Sequence, residues 1–219
     1  LQTAYRLGLT ATYSGDKIQR PKTREKRIEC FTVAEQKKLE EAVMLSKKQK
    51  LFGIVICLYT GLRIGELLAL TWDDVDFEKG EINVSKSCYC RKGGIVVDSA
   101  KTEHSKRVIP LCKQLIKILR KTEKESNSEY VISSNGKPVT TRSYQGSFES
   151  MQKNLHMPHR GFHALRHTFA TRALECGMDV KTLSEIMGHK NSTITLNRYA
   201  HSLTEHKKAM INKLGRNLE

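Results

Sequence analysis

Acidic residues are scarce in this 219-residue chain: 23 Asp and Glu stand against 38 Lys and Arg, for a formal charge of +15. That imbalance favours a polyanionic partner, nucleic acid before a membrane surface. Long apolar runs are lacking as well. A bilayer span needs roughly 18–20 apolar residues, and the longest run here, around Leu51–Tyr59, is about half that, so no membrane span is expected. The first residues, LQTAYRLGLT, lack the apolar core of a secretory signal. The start at Leu rather than Met leads us to expect a piece cut from a longer chain. No GxxxxGK[ST] loop is present to cradle a nucleotide, nor is there a cluster of carboxylates of the kind that holds Mg²⁺ in many nucleases. Six cysteines lie scattered at 30, 57, 88, 90, 112 and 176. Cys88-x-Cys90 is their one close pair, with no second Cys or His pair at zinc-finger spacing. They read as reduced thiols of an intracellular protein without structural metal. The expectation is therefore a cytoplasmic protein with a nucleic-acid partner and no cofactor.

What is present falls into an orderly pattern. Residues 1–12 read as the end of a helix, followed by the basic, polar stretch GDKIQRPKTREKR, a tether suited to tracking phosphates. Thr32 and Glu35 form a T-x-x-E capping box for a helix whose apolar face includes Leu39, Ala42 and Val43. KLFGIVICLY is apolar nearly all round and predicts a buried helix, broken at Thr60-Gly61. Arg63 then opens a short helix to Leu70, with Glu66 one turn on to hold its guanidinium. EINVS, GIVVD and KRVIPL predict three short strands, the first two joined around Lys92-Gly93-Gly94. SAKTEHSK between the second and third puts Lys101 on a turn. KQLIKILRKTEK, with Leu115, Ile116 and Leu119, and TTRSYQGSFESMQKNL predict two more helices around an Asn135-Gly136 turn, and Pro158 ends the second.

The richest stretch runs from His163 to Tyr199: HALRHTFATRALECGMDVKTLSEIMGHKNSTITLNRY. His163 and Arg166, three apart, share one helical face. Gly177 is placed to end that helix and Asp179 to cap the next. His189 follows Gly188, and Tyr199 stands beside Arg198. Cations, imidazoles and one phenol converging on a point suit attack on a phosphate. The tail after Tyr199, with Leu203, Met210, Ile211, Leu214 and Leu218 near helical spacing, predicts an amphipathic terminal helix.

Three boxes in this order, Arg63 in TGLRIGELLALTWDDVD, Lys101 in AKTEHSKRVIPL and HALRH…GH…Y, resemble the tyrosine recombinases, particularly phage and conjugative-transposon integrases. The resemblance covers Thr32 to His201. It implies an α+β fold: a mostly helical catalytic domain over 28–219 with a small three-stranded antiparallel sheet and a C-terminal exchange helix. Residues 1–27 would be the end of a core-site-binding domain and a basic linker. Met187 departs from the pattern, standing where a leucine is usual.

The resemblance also implies a division of labour. Arg63 and Arg166 would grip the non-bridging oxygens of a DNA phosphodiester as planar forks, and His189 would donate to the same oxygens. Tyr199 would attack, leaving a 3′-phosphotyrosine and a free 5′ hydroxyl. A phenol with an ordinary pKa of about 10 is little ionised at neutral pH, so His163 would accept its proton. Lys101 would protonate the departing 5′ oxygen. Glu66 would orient rather than react. The covalent link conserves the phosphodiester's energy, so rejoining would need no ATP, and the arginines would replace a metal. Double-stranded core-site DNA and a tetramer of like chains, joined through the terminal helix, are the implied partners.

Each residue singly has an ordinary explanation. Lys106 and Arg107 could be plain phosphate contacts, Tyr199 a core tyrosine, His189 a partner for a helix end, and His167 a supporting donor outside the catalytic set. His104, His156, His159, His201 and His206 read as surface or DNA-facing. A type IB topoisomerase-like nicking-closing enzyme and a non-catalytic DNA-binding module of the same fold remain alternatives to a recombinase.

Overall fold

The computed structural model describes residues 2–10, 29–46, 48–91, 94–99, 106–189, 193, 199 and 211. Its helices are α1 (Gln2–Arg6), α2 (Val33–Leu45), α3 (Phe52–Thr60), α4 (Ile64–Ala69), α5 (Lys113–Lys124), α6 (Thr141–Asn154), α7 (His163–Glu175) and α8 (Val180–Met187). Its strands are β1 (Val75–Asp76), β2 (Glu81–Val84), β3 (Lys86–Arg91), β4 (Gly94–Ser99), β5 (Arg107–Pro110), β6 (Ser133–Ser134) and β7 (Lys137–Pro138). No helix among the described residues is long and apolar enough to cross a membrane.

The helix starts follow the capping chemistry written in the sequence. Thr32 Oγ1 accepts the Glu35 amide at 3.2 Å, and the Glu35 carboxylate accepts the Thr32 amide at 2.8 Å, closing the reciprocal box at the head of α2. Asp179 Oδ1 accepts the Thr182 amide at 2.9 Å and starts α8. At the centre lies α3, with Ile54, Val55, Ile56, Cys57 and Leu58 all buried. It packs against α2 on one side and α7 on another, as a helix with no polar face must. An edge-to-face series of rings, Phe31–Phe148, Phe148–Phe162 and Phe162–Tyr144, carries the core from the entry of α2 through α6 to the start of α7. Thr168 Oγ1 accepts the Phe31 amide at 2.9 Å and ties α7 to the same region.

A three-stranded antiparallel sheet is present, but one of its strands differs from the expectation. β2 pairs with β5, as Val84 opposite Arg107 shows, and the third strand is the two-residue β1 rather than GIVVD. GIVVD, in β4, instead pairs with β3 in a separate hairpin. The sequence hid this because β3, KSCYCR, has no apolar alternation: only Cys88 on it is buried. Small side chains let that hairpin pack on α4. The expected Asn135-Gly136 turn closes β6 on β7, with both residues in the left-handed region at φ +52° and +75°.

Candidate active site

The site is assembled where α8 ends. The last carbonyls of a helix have no intrahelical partner and carry its negative dipole end. Here the Ser184 and Glu185 carbonyls accept the amides of His189 and Gly188, each at 3.0 Å. The next three carbonyls each receive an arginine. Arg107 Nε donates to Ile186 O at 2.6 Å, Arg166 donates to Met187 O at 2.6 Å, and Arg63 donates to Gly188 O at 3.0 Å. Gly188 turns the chain here at φ +61°, and a Cβ on it would lie 3.1 Å from the Arg107 guanidinium. The conformation favours glycine, and the close guanidinium leaves little room for a larger residue.

Arg166 is 2% exposed, the largest fully buried side chain of the described residues. Besides Met187 O it donates to Gly61 O at 2.5 Å and to His189 Nε2 at 3.0 Å. A guanidinium cannot accept a hydrogen bond. In this arrangement His189 Nε2 therefore bears no proton, and the N–H that His189 can offer is at Nδ1. Burial first, and then the like charge of Arg63, lower the Arg166 pKa to about 9, which still leaves it cationic at neutral pH. Gly61 presents its carbonyl from the left-handed end of α3, at φ +66°, where a Cβ would strike the Phe169 ring at 2.5 Å.

Arg63 is the residue before α4, and its side chain is the most open of the three arginines, 39% exposed. Glu66, 7% exposed, holds it as the sequence predicts, with Arg63 NH1 to Oε1 at 2.8 Å and the Arg63 amide to Oε2 at 2.8 Å. The same carboxylate takes a second guanidinium: Arg107 donates to Oε1 at 3.0 Å and to Oε2 at 2.9 Å. Burial pushes the Glu66 carboxyl up, but the Arg107 hydrogen bond and the charges of Arg107 and Arg63 outweigh it, leaving a pKa of about 2. Glu66 is a fixed anion.

Next to Arg166 along α7, His167 faces Tyr199. Its Nδ1 lies 2.7 Å from the Tyr199 hydroxyl. The phenol ring is 3% exposed and rests in an apolar cluster of Ala170, Ala173, Leu174, Leu183 and Met187. His163, exposed at the first turn of α7, sets its ring edge-on against His167 at a centroid distance of 4.7 Å. The shared face expected for His163 and Arg166 thus divides, one residue open to solvent and the other in the core.

Of the residues singled out by sequence, Arg63, Glu66, Arg166 and His189 meet around Gly188, while His163 and Tyr199 meet through His167. Lys101 lies outside the described residues, as does the amphipathic tail apart from Ile211. Sequence reasoning undervalued two residues. Arg107 reads as one basic residue among several at the start of the KRVIPL strand, and no local pattern marks it. His167 had a weak signal, its place beside Arg166.

Known proteins resemble this chain in sequence and in fold. A tyrosine recombinase XerC-like protein of Caldanaerobacter subterraneus subsp. tengcongensis is 32% identical over 223 residues, covering 89% of this chain and 56% of its own length. The transposase from transposon Tn916 of Enterococcus faecalis is 29% identical, over 84% of this chain and 51% of its own. The chain thus spans about half the length of these curated relatives. Among solved structures, the Tn1549 transposon integrase in complex with circular intermediate DNA superposes with a TM-score of 0.76 at 29% identity, over 97% of this chain and 76% of that one. The XerA recombinase follows with 0.67 at 25% identity, over 89% and 66%. The phage integrase family model matches residues 29–206, and the chain belongs to that family.

Proposed function

We propose that this chain is the strand-cutting domain of a site-specific recombinase that integrates and excises a mobile DNA element. Arg63 and Arg166 hold the scissile phosphate, and His189 adds an N–H to it. Tyr199 displaces the 5′ oxygen to form a 3′-phosphotyrosine; His163 takes the phenol's proton, and Lys101 protonates the leaving oxygen. Electrons and protons balance: the O–P bond to Tyr199 forms as the P–O5′ bond breaks, and the reverse step rejoins a strand. The reaction consumes no nucleotide and, in this reading, uses guanidinium charge where other nucleases use a metal. DNA is the substrate, and a tetramer of like chains linked through the terminal helix is the working assembly.

The observation that carries the reading is the convergence of Arg63, Arg166 and His189 at the end of α8, one helical position along α7 from the histidine that meets Tyr199. Donors fixed by main-chain carbonyls are already oriented before a charged oxygen arrives, the arrangement that stabilises developing charge best. The relatives bound to DNA in solved structures support DNA as the ligand. The test is a nicked duplex that traps the cut strand. Wild-type chain, presented with core-site DNA of its own element, should form a protein–DNA adduct that survives denaturation. Tyr199→Phe should bind equally and form none. An adduct that persists in Tyr199→Phe overturns the assignment of the nucleophile, and wild-type binding without adduct overturns the enzyme.

A further inference from the structure

We propose that Arg107 is a positioning residue for the phosphate-binding arginine Arg63, acting through the carboxylate they share. This rests on the proposed strand-cutting function and adds to it a member that touches no reacting atom.

Arg107 has the contacts of a keystone rather than of a phosphate ligand. Its side chain is 6% exposed, so the guanidinium is not offered to solvent. Two of its nitrogens close a parallel fork on Glu66, and the third holds the Ile186 carbonyl. It thereby joins β5 to α4 and to the end of α8, three elements far apart in the sequence. Each Glu66 oxygen accepts two donors, one from Arg63 and one from Arg107.

The charge arithmetic gives this geometry a purpose. A buried carboxylate facing Arg63 alone would satisfy its need for partners from that one guanidinium and compete with an incoming phosphate for it. With Arg107 supplying two of the four hydrogen bonds, Glu66 is neutralised from the other side. The Arg63 guanidinium then keeps one N–H on Glu66 and one on Gly188 O, and its remaining N–H groups stay available to an anion. Because Arg107 also fixes Ile186 O, the turn that bears Gly188 and His189 is set by the same side chain. Lysine cannot replace it: one ammonium lacks the planar fork that spans both oxygens and a carbonyl.

The test compares wild type, Arg107→Met and Arg107→Lys in single-turnover cleavage of the nicked duplex. DNA affinity and thermal unfolding are measured on the same preparations. Arg107→Met should cleave about 100-fold more slowly while its DNA affinity changes less than about threefold, because Arg107 itself makes no phosphate contact. The decisive arm replaces the scissile phosphate by a methylphosphonate, which is uncharged and needs less help from Arg63. There the defect should shrink to less than about fivefold. A general loosening of the fold would slow both substrates alike, so an equal defect on the two overturns the proposal, as does unimpaired cleavage of the phosphodiester. If Arg107→Met does not fold, Arg107→Lys carries the same comparison with a smaller expected loss and the same two overturning results. Absence of adduct from wild type would instead defeat the strand-cutting function, an outcome separate from either.

Discussion

Two neighbouring sides of α7 handle their functional groups in opposite ways. On the side of Arg166, guanidinium groups are fastened to main-chain carbonyls at Gly61, Ile186, Met187 and Gly188 and to the Glu66 carboxylate. On the side of His167, about 100° around the helix, Tyr199 rests among small and flexible side chains, with its hydroxyl against an imidazole. Charges tied to the backbone move only if helix ends move. A phenol held by side chains is released by changes of rotamer. The fold therefore commits its charge in advance and leaves the proposed nucleophile in a berth of another kind.

Removing Arg166 should test this contrast most severely. Arg166→Ala takes the donor from two buried carbonyls and from the half-buried His189 ring, and it should lower single-turnover cleavage by about 1,000-fold and stability by about 3 kcal/mol. Chemical denaturation beside the cleavage assay reads both; an unchanged midpoint would show that those carbonyls find other partners. A middling effect is expected on the tyrosine side. His163→Ala should slow cleavage by about 100-fold as the phenol loses its proposed proton acceptor. His167→Phe keeps a ring in place and should cost less than about tenfold. The reverse order would transfer the proton to His167, the imidazole that touches Tyr199 here.

The smallest effect should appear in acid. Glu66 has a folded pKa of about 2, below its ordinary 4.5. Its ionised form thus stabilises the fold fully above pH 4.5, and that contribution fades as pH falls toward 2. Thermal midpoints measured between pH 6 and 2 should fall less steeply for Glu66→Gln than for wild type over that window. Parallel curves would mean that the carboxylate is no better held in the fold than in the unfolded chain.

Much of the fold is written locally, and those parts could be read. The capping box at Thr32, the apolar helix before Gly61 and the Asn135-Gly136 turn each depend on residues within a few positions of one another. Arg63 with Glu66 belongs to the same class. What could not be read depends on distant partners. Arg107 meets Glu66 across 41 positions and Ile186 across 79, and in sequence nothing sets it apart from its basic neighbour Lys106. The β3 strand escaped notice because it has serine and cysteine where alternating apolar residues would mark a face. Its partner β4 was visible but was joined to the wrong neighbour.

The end of α8 acts as a ruler. Three consecutive acceptors, the last two helical carbonyls and that of the left-handed Gly188, receive three different arginines, and each residue added to a helix turns its end by about 100°. Adding or deleting one residue between Asp179 and Gly188 would swing all three away from their donors together, although every side chain named as functional would still be present. Change in this protein should therefore be tolerated more readily as substitution on the outer face of α8 than as any alteration of its length.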